Sequence, residues 1–162
     1  MFKAAVITCS DKGVKGLRED TSGPYIKAFL EDLKFQVVDQ IIISDDLETI
    51  EEQLIHYSDH VQVDLIMTTG GTGFSPRDNT PEATKKVIKR EIPGIGEMLR
   101  YESYKITKKA YLSRGVSGIR DRTLIINLPG SLKAVKENLA CLDNVLGHGL
   151  KILKHVDTDC GE

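Results

Sequence analysis

Short apolar runs alternate with longer amphipathic stretches along this chain, and that alternation predicts its fold class. Lys3 to Thr8 is a short β-branched run ending at Cys9-Ser10-Asp11. A polar, glycine-containing loop leads to Gly23. Pro24 then opens a helix whose Ile26, Phe29, Leu30 and Leu33 recur at i, i+3, i+4 and i+7, one apolar stripe. Gln36 to Ile43 reads as a second strand, closing at Ser44-Asp45-Asp46. Ser44 or Asp45 is placed to cap the next helix, with Leu47, Ile50, Leu54 and Tyr57 on its buried side. Asp64 to Thr69 is the third strand. Pro81 to Arg90 is the following helix, with Thr80 as N-cap and Pro81 at its first position.

The second half is more mixed. Ile92-Pro93-Gly94 precedes a helix near Gly96 to Tyr104. Tyr111 to Ile119 and Thr123 to Leu128 read as strands joined across Arg120-Asp121-Arg122, a hairpin. Pro129-Gly130 breaks the chain, and Ser131 caps a last helix striped by Leu132, Val135, Leu139, Leu142, Leu146 and Leu150. No repeat or linker interrupts the pattern, so one domain is expected over residues 1–156, with a loose polar tail at 157–162.

Strands alternating with helices predict an α/β layer fold with a largely parallel sheet. Ligands of such sheets bind outside the carboxyl ends of the strands. The first three strands end at Ser10-Asp11, Ser44-Asp45 and Thr69-Gly70-Gly71, so three polar termini are expected at one edge.

Composition narrows the function classes. The 162 residues are 40% hydrophobic and 28% charged, ordinary values for a globular protein. A net charge of −2 gives no whole-protein attraction to nucleic acid or to an anionic membrane. Lys85, Lys86, Lys89 and Arg90 fall on one predicted helix and read as a solvated face. Cys9, Cys141 and Cys160 share no metal-like spacing and suit a reducing compartment. With no leader-like or membrane-length apolar run, a cytoplasmic location is expected.

The window Thr68 to Thr84 carries the densest chemistry. Gly70, Gly71 and Gly73 remove side chains where the backbone must bend or admit another molecule, and turn N–H groups attract anions. The loop matches neither the Walker A sequence nor the dinucleotide fingerprint. Asp45 and Asp78, near the ends of predicted strands 2 and 3, suit a hard cation held together with substrate phosphates, with Asp46 an equal rival to Asp45. Arg77, Arg114, Lys133 and Lys136 are candidates for neutralising phosphate. His56 and His60 share a helix face at i, i+4 without a third ligand and read as a surface pair. No G-x-S-x-G elbow and no histidine partner for Cys9 point to covalent catalysis.

Thr68-Thr-Gly-Gly-Thr-Gly73 followed by Arg77-Asp78-x-Thr80-Pro81-Glu82-Ala83-Thr84 resembles the molybdopterin-binding domain family. Ser10-Asp11, Asp20-Thr21-Ser22-Gly23-Pro24, Ser113-Arg114, Gly118-Ile119-Arg120 and Asn127-Leu128-Pro129-Gly130-Ser131 extend the likeness over nearly the whole chain. Thr80-Pro81-Glu82 is more similar to the MogA-type adenylyltransferase branch than to the MoaB-type branch, which usually lacks that proline. Asn79 stands where valine is common, and Asp121 where glycine is common. The resemblance implies a three-layer α/β/α fold with a mostly parallel mixed sheet and a small β-hairpin. It implies transfer of AMP from ATP to molybdopterin with Mg²⁺, releasing pyrophosphate, in molybdenum cofactor biosynthesis. Asp45 and Asp78 match the family's catalytic and metal-binding acids. Ser10, Asp11, Gly70, Gly71, Thr72, Gly73, Thr80, Glu82, Ser113, Arg114, Asn127, Pro129, Gly130 and Ser131 would line the substrate pocket. A homotrimer and hand-off to a molybdenum-insertion protein are implied too. The alternatives are a MoaB-type protein of a tungsten pathway and a non-catalytic pterin carrier.

Overall fold

Six strands, Lys3–Cys9 (β1), Gln36–Ile43 (β2), Leu65–Thr69 (β3), Arg90–Glu91 (β4), Ser117–Arg120 (β5) and Thr123–Leu128 (β6), form one sheet in the order β2-β1-β3-β6-β5-β4. The computed structural model describes residues 1–154. β2, β1, β3 and β6 run parallel, while β5 and β4 add an antiparallel edge. Chain order reverses between β1 and β3, which opens the crevice where ligands of such sheets bind.

The helices are Asp11–Val14 (α1), Ser22–Asp32 (α2), Leu47–Ile55 (α3), Thr80–Val87 (α4), Pro93–Tyr104 (α5) and Leu132–Leu153 (α6). A π-helical turn, His56–His60, extends α3, and a 3-10 turn spans Lys108–Leu112. Strand alternation divides the interior into two cores. Ala4, Val6, Leu65, Met67, Leu124 and Ile126 face α2, α5 and α6, burying Ile26, Leu30, Leu99 and the leucine stripe of α6. Ala5, Ile7, Ile66 and Ile125 face α3 and α4, burying Ile50, Leu54, Ala83 and Val87. The result is the expected α/β/α layering.

β2 is an edge strand with an irregular start. Ala4 pairs with Val37 but Ala5 pairs with Asp39, so Val38 is an extra residue, a bulge. Asp39 in mid-strand accepts a hydrogen bond from the Tyr57 hydroxyl at 2.6 Å, and a charge there discourages edge-to-edge pairing.

Several expected boundaries move. The loop after β1 contains α1, too short to show a helical period, and α2 begins at Ser22, ahead of Pro24. α4 stops at Val87 because Arg90 and Glu91 pair with Ile119 and Gly118, so Lys89 and Arg90 leave the helix. Tyr111 and Leu112 lie in the 3-10 turn, and the strand expected from Tyr111 starts only at Ser117. The β5–β6 hairpin forms as expected, with Asp121 at φ +51°, a conformation glycine would take more readily. Cys9 is buried and Cys141 half-buried. Cys160 and the 157–162 tail lie outside the described residues. No described helix is long and apolar enough to cross a membrane.

Candidate active site

The ends of β1, β2 and β3 meet at one edge of the sheet around a cavity of about 560 Å³. Ser10, Asp45, Gly70, Gly71, Asp78, Gly130 and Ser131, all singled out in the sequence, line it. Its wall also contains Thr8 and the loop Arg18–Ser22, which were not expected in the pocket although Asp20-Thr21-Ser22 is part of the family likeness. Asp20 organises that loop, accepting from the Thr8 hydroxyl at 2.7 Å and from the Ser22 and Gly23 N–H groups at 3.1 and 2.9 Å. An Asp two residues before a Ser-Gly-Pro helix start is the signal that could have located it.

The glycines are there because neighbouring atoms leave no room. Gly70 has φ +94°, and a Cβ on it would overlap the Cys9 carbonyl oxygen. Gly71 has φ +66°; a Cβ there would overlap Thr80 Oγ1 and come within 3.2 Å of Asp45 Oδ1. Those two oxygens are buried without a hydrogen-bond partner.

The helix caps differ from expectation. Asp46 caps α3, its Oδ2 accepting from the Thr49 N–H and hydroxyl, both at 3.0 Å. Asp45 is thereby released from capping. Asn79, which makes no side-chain cap bond, precedes α4, and Thr80 is the first residue inside that helix. Ser10 caps α1 through the Gly13 N–H at 3.0 Å, and Ser131 caps α6 through the Ala134 N–H at 3.2 Å.

Asp45 is held on three sides. Its Oδ2 accepts from the Asp11 N–H at 2.9 Å, its own N–H donates to Asp11 Oδ1 at 3.0 Å, and its carbonyl accepts from Asn79 Nδ2 at 2.8 Å. Arg77 grips Asp11 with both arms of its fork, Nε to Oδ2 at 2.9 Å and Nη2 to Oδ1 at 3.0 Å. Asp78 Oδ2 accepts from the Ser75 N–H at 2.9 Å. Burial raises the Asp45 pKa above the usual carboxylate value, the Asp11 and Asp78 charges add to the rise, and the hydrogen bond from Asp11 and the Arg77 charge oppose it. The Arg77 fork holds Asp11 below that value. Burial pushes the Cys9 thiol up to about 12, which leaves it protonated and inert at the cavity wall.

Other expected residues do different work. Arg114 donates to the Gly73 and Asp78 carbonyls, each at 2.7 Å, pairs with Glu82, and sends its N–H to the Thr72 carbonyl at 2.9 Å. Arg114, backed by Glu82, therefore braces the glycine loop through the Thr72 and Gly73 carbonyls. Ser113, Asn127 and Pro129 line a second cavity of about 230 Å³ with Leu99, Arg100, Lys109, Glu137 and Asn138. The Asn127 amide is fully engaged, accepting from the Val116 N–H and donating to Thr68 and Thr84 hydroxyls. The Asn127–Ser131 segment thus runs from the second cavity into the first. Asp11, Thr72, Gly73, Thr80 and Glu82 line neither.

Among the described residues, no three His, Cys, Asp or Glu side chains form a metal cage. The His56 and His60 rings lie 6.0 Å apart on the π-helical turn. Asp45 and Asp78 both line the cavity and offer hard carboxylate oxygens, one of which, Asp45 Oδ1, has no partner in the fold, and this donor set fits a Mg²⁺ that takes its remaining ligands from phosphates and water.

Comparison with known proteins gives this edge a context. Residues 5–148 match the probable molybdopterin binding domain. A molybdopterin adenylyltransferase of Helicobacter pylori is 41% identical over 157 residues, covering 91% of this chain and 89% of that protein. The crystal structure of the molybdopterin biosynthesis enzyme MoaB from Thermus thermophilus superposes with a TM-score of 0.90 at 42% identity, covering 96% of this chain and 98% of the other. The tungsten cofactor synthesizing protein MoaB from Pyrococcus furiosus does so with a TM-score of 0.82 at 38% identity, covering 96% of each chain.

Proposed function

Because the chain belongs to the molybdopterin-binding domain family, we propose that it is a molybdopterin adenylyltransferase of molybdenum cofactor biosynthesis. In this reading it transfers AMP from ATP to the terminal phosphate of molybdopterin. An oxygen of that phosphate forms a bond to the α-phosphorus of ATP while the bond to the leaving pyrophosphate breaks. The observation that carries the reading is Asp45, a residue lining the cavity at the carboxyl edge of the sheet, whose buried Oδ1 lies unpartnered beside the glycine loop.

Two anionic substrates repel each other, so the protein's task is positioning and charge neutralisation. Asp45 and Asp78 would hold Mg²⁺, which when bound offsets phosphate charge. Gly70 and Gly71 give phosphate groups close access to backbone, and Gly130, whose Cβ position lies 3.2 Å from the Gly70 Cα, keeps the facing wall thin. The Ser131 end of α6 adds the positive pole of a 22-residue helix to the same cavity. The Arg114 brace keeps the loop from relaxing when ligands leave.

A homotrimer, a cytoplasmic location and transfer of product to a molybdenum-insertion protein belong to the proposal through family resemblance. The exposed group Tyr101, Tyr104, Ile106, Tyr111 and Leu112 is a surface suited to subunit contact. Sedimentation equilibrium tests the trimer.

Pyrophosphate release from ATP and Mg²⁺, measured with and without molybdopterin, tests the reaction. Release that needs both molybdopterin and metal supports adenylyl transfer. Tight pterin binding without release would assign the chain to the carrier class. The likeness to the Pyrococcus furiosus protein favours one second reading, the same chemistry serving tungsten; metal insertion assays with the adenylylated product separate the two.

A further inference from the structure

Arg77 stands in the glycine-loop segment, yet its guanidinium fork is committed to Asp11 rather than turned on the cavity. Asp11 and Asp45 in turn each donate a backbone N–H to the other's carboxylate. The chain Arg77–Asp11–Asp45 therefore ties together the segments that follow β3, β1 and β2. With its N–H, carbonyl and Oδ2 all engaged, Asp45 has one carboxylate oxygen left, Oδ1.

The Arg77 side chain is 55% exposed and that of Asp11 is 31% exposed. An ion pair so open to water adds little to stability. Its two-pronged geometry, however, fixes the angle of the Asp11 carboxylate, as a lone lysine ammonium would not. Asp11 then fixes both the backbone and the carboxylate plane of Asp45.

We propose that Arg77 and Asp11 are positioning residues that fix the orientation of the Asp45 carboxylate, whose buried Oδ1 has no partner in the fold, for the cation of the proposed reaction. The inference rests on the metal-assisted reading above. Partners of metal ligands typically change metal affinity by about 10–100-fold when removed.

The test uses the full-length protein, its Arg77→Gln, Arg77→Lys and Asp11→Ala variants, and the double variant Arg77→Gln/Asp11→Ala. Mn²⁺ binding in the presence of ATP is followed by electron paramagnetic resonance, and molybdopterin binding by fluorescence. Each single variant is expected to weaken Mn²⁺ binding about tenfold or more, with pterin affinity unchanged. The double variant should be no worse than the singles, because both act through one contact, and lysine should not rescue. Unchanged Mn²⁺ binding in Arg77→Gln overturns the proposal. So does weaker binding of metal-free ATP in Arg77→Gln but not in Asp11→Ala, which would put Arg77 directly on the nucleotide.

Failure of the function is separable from failure of the clamp. Wild-type protein that binds Mn²⁺ without releasing pyrophosphate, beside variants that lose Mn²⁺, defeats the reaction and leaves the clamp standing. If the wild type binds no Mn²⁺, crystal structures of Arg77→Gln and Asp11→Ala decide. An Asp45 carboxylate rotated off its present position supports the clamp, and one unmoved overturns it.

Discussion

Asp46 spends its carboxylate on capping α3, whereas Asp45, its immediate neighbour, keeps one buried oxygen unpartnered beside Gly71. In the proposed reaction two adjacent acids would thus divide stability from chemistry. Asp46→Ala should lower the urea midpoint through loss of the N-cap and leave turnover near wild type. Asp45→Ala should leave pterin binding intact and lower turnover by about 10²-fold or more, the scale of losing one preorganised electrostatic group. Urea unfolding and pyrophosphate release, run on both variants, check the pair; interchanged phenotypes would make Asp46 the functional acid.

Asp78→Asn preserves volume and can still accept from the Ser75 N–H. We expect the folded variant to bind molybdopterin normally and lose most of its turnover. An unchanged pyrophosphate release rate would remove Asp78 from the mechanism.

Gly71→Val combines two faults. The residue occupies a left-handed conformation, and its Cβ would press on Thr80 Oγ1. Strain at such positions is worth about 1–3 kcal/mol. The new side chain also intrudes on Asp45 Oδ1, so pterin affinity and turnover should both fall in whatever fraction folds. Thermal unfolding together with pterin titration measures this; wild-type values in both would show that the loop has room to spare.

Asp45 also sets a pH signature. Burial raises its pKa in the folded state, so the folded protein holds that proton more tightly than the unfolded chain does. The stabilisation is complete below the unfolded value, roughly 3.9, and is lost as pH rises through the higher folded value. At neutral pH the ionised carboxylate therefore burdens the fold. Asp45→Asn should melt at a higher temperature than wild type at pH 7, and the gain should vanish on acidification toward pH 4 in parallel thermal scans. Equal melting temperatures at pH 7 would contradict the assigned burial.

Much of this fold is legible in the sequence. β2 was delimited correctly, β1 and β3 to within a residue, and the convergence of three strand ends followed from their polar termini. What escaped depended on distant partners. α4 ends early because Arg90 and Glu91 find β5, a pairing no local period announces. The cap of α3 shifted because Asp45 had a better engagement with Asp11, 34 positions earlier. Arg114 looked like a phosphate ligand by charge, but its fork meets two carbonyls of the glycine loop. Asn127, a pocket residue by motif, lines the second cavity, and its amide also locks β6 to β3 and α4, which no motif announces.

The bulge at Val38 has a role larger than shaping an edge. Before it, β1 and β2 pair with an offset of 33 residues, and after it with an offset of 34. At the first offset Asp11 would stand opposite Ser44, a neutral hydroxyl; at the second it stands opposite Asp45. One uncounted residue thus works like a frameshift in the sheet, deciding seven positions downstream which letter of Ser44-Asp45-Asp46 is read out at the active edge.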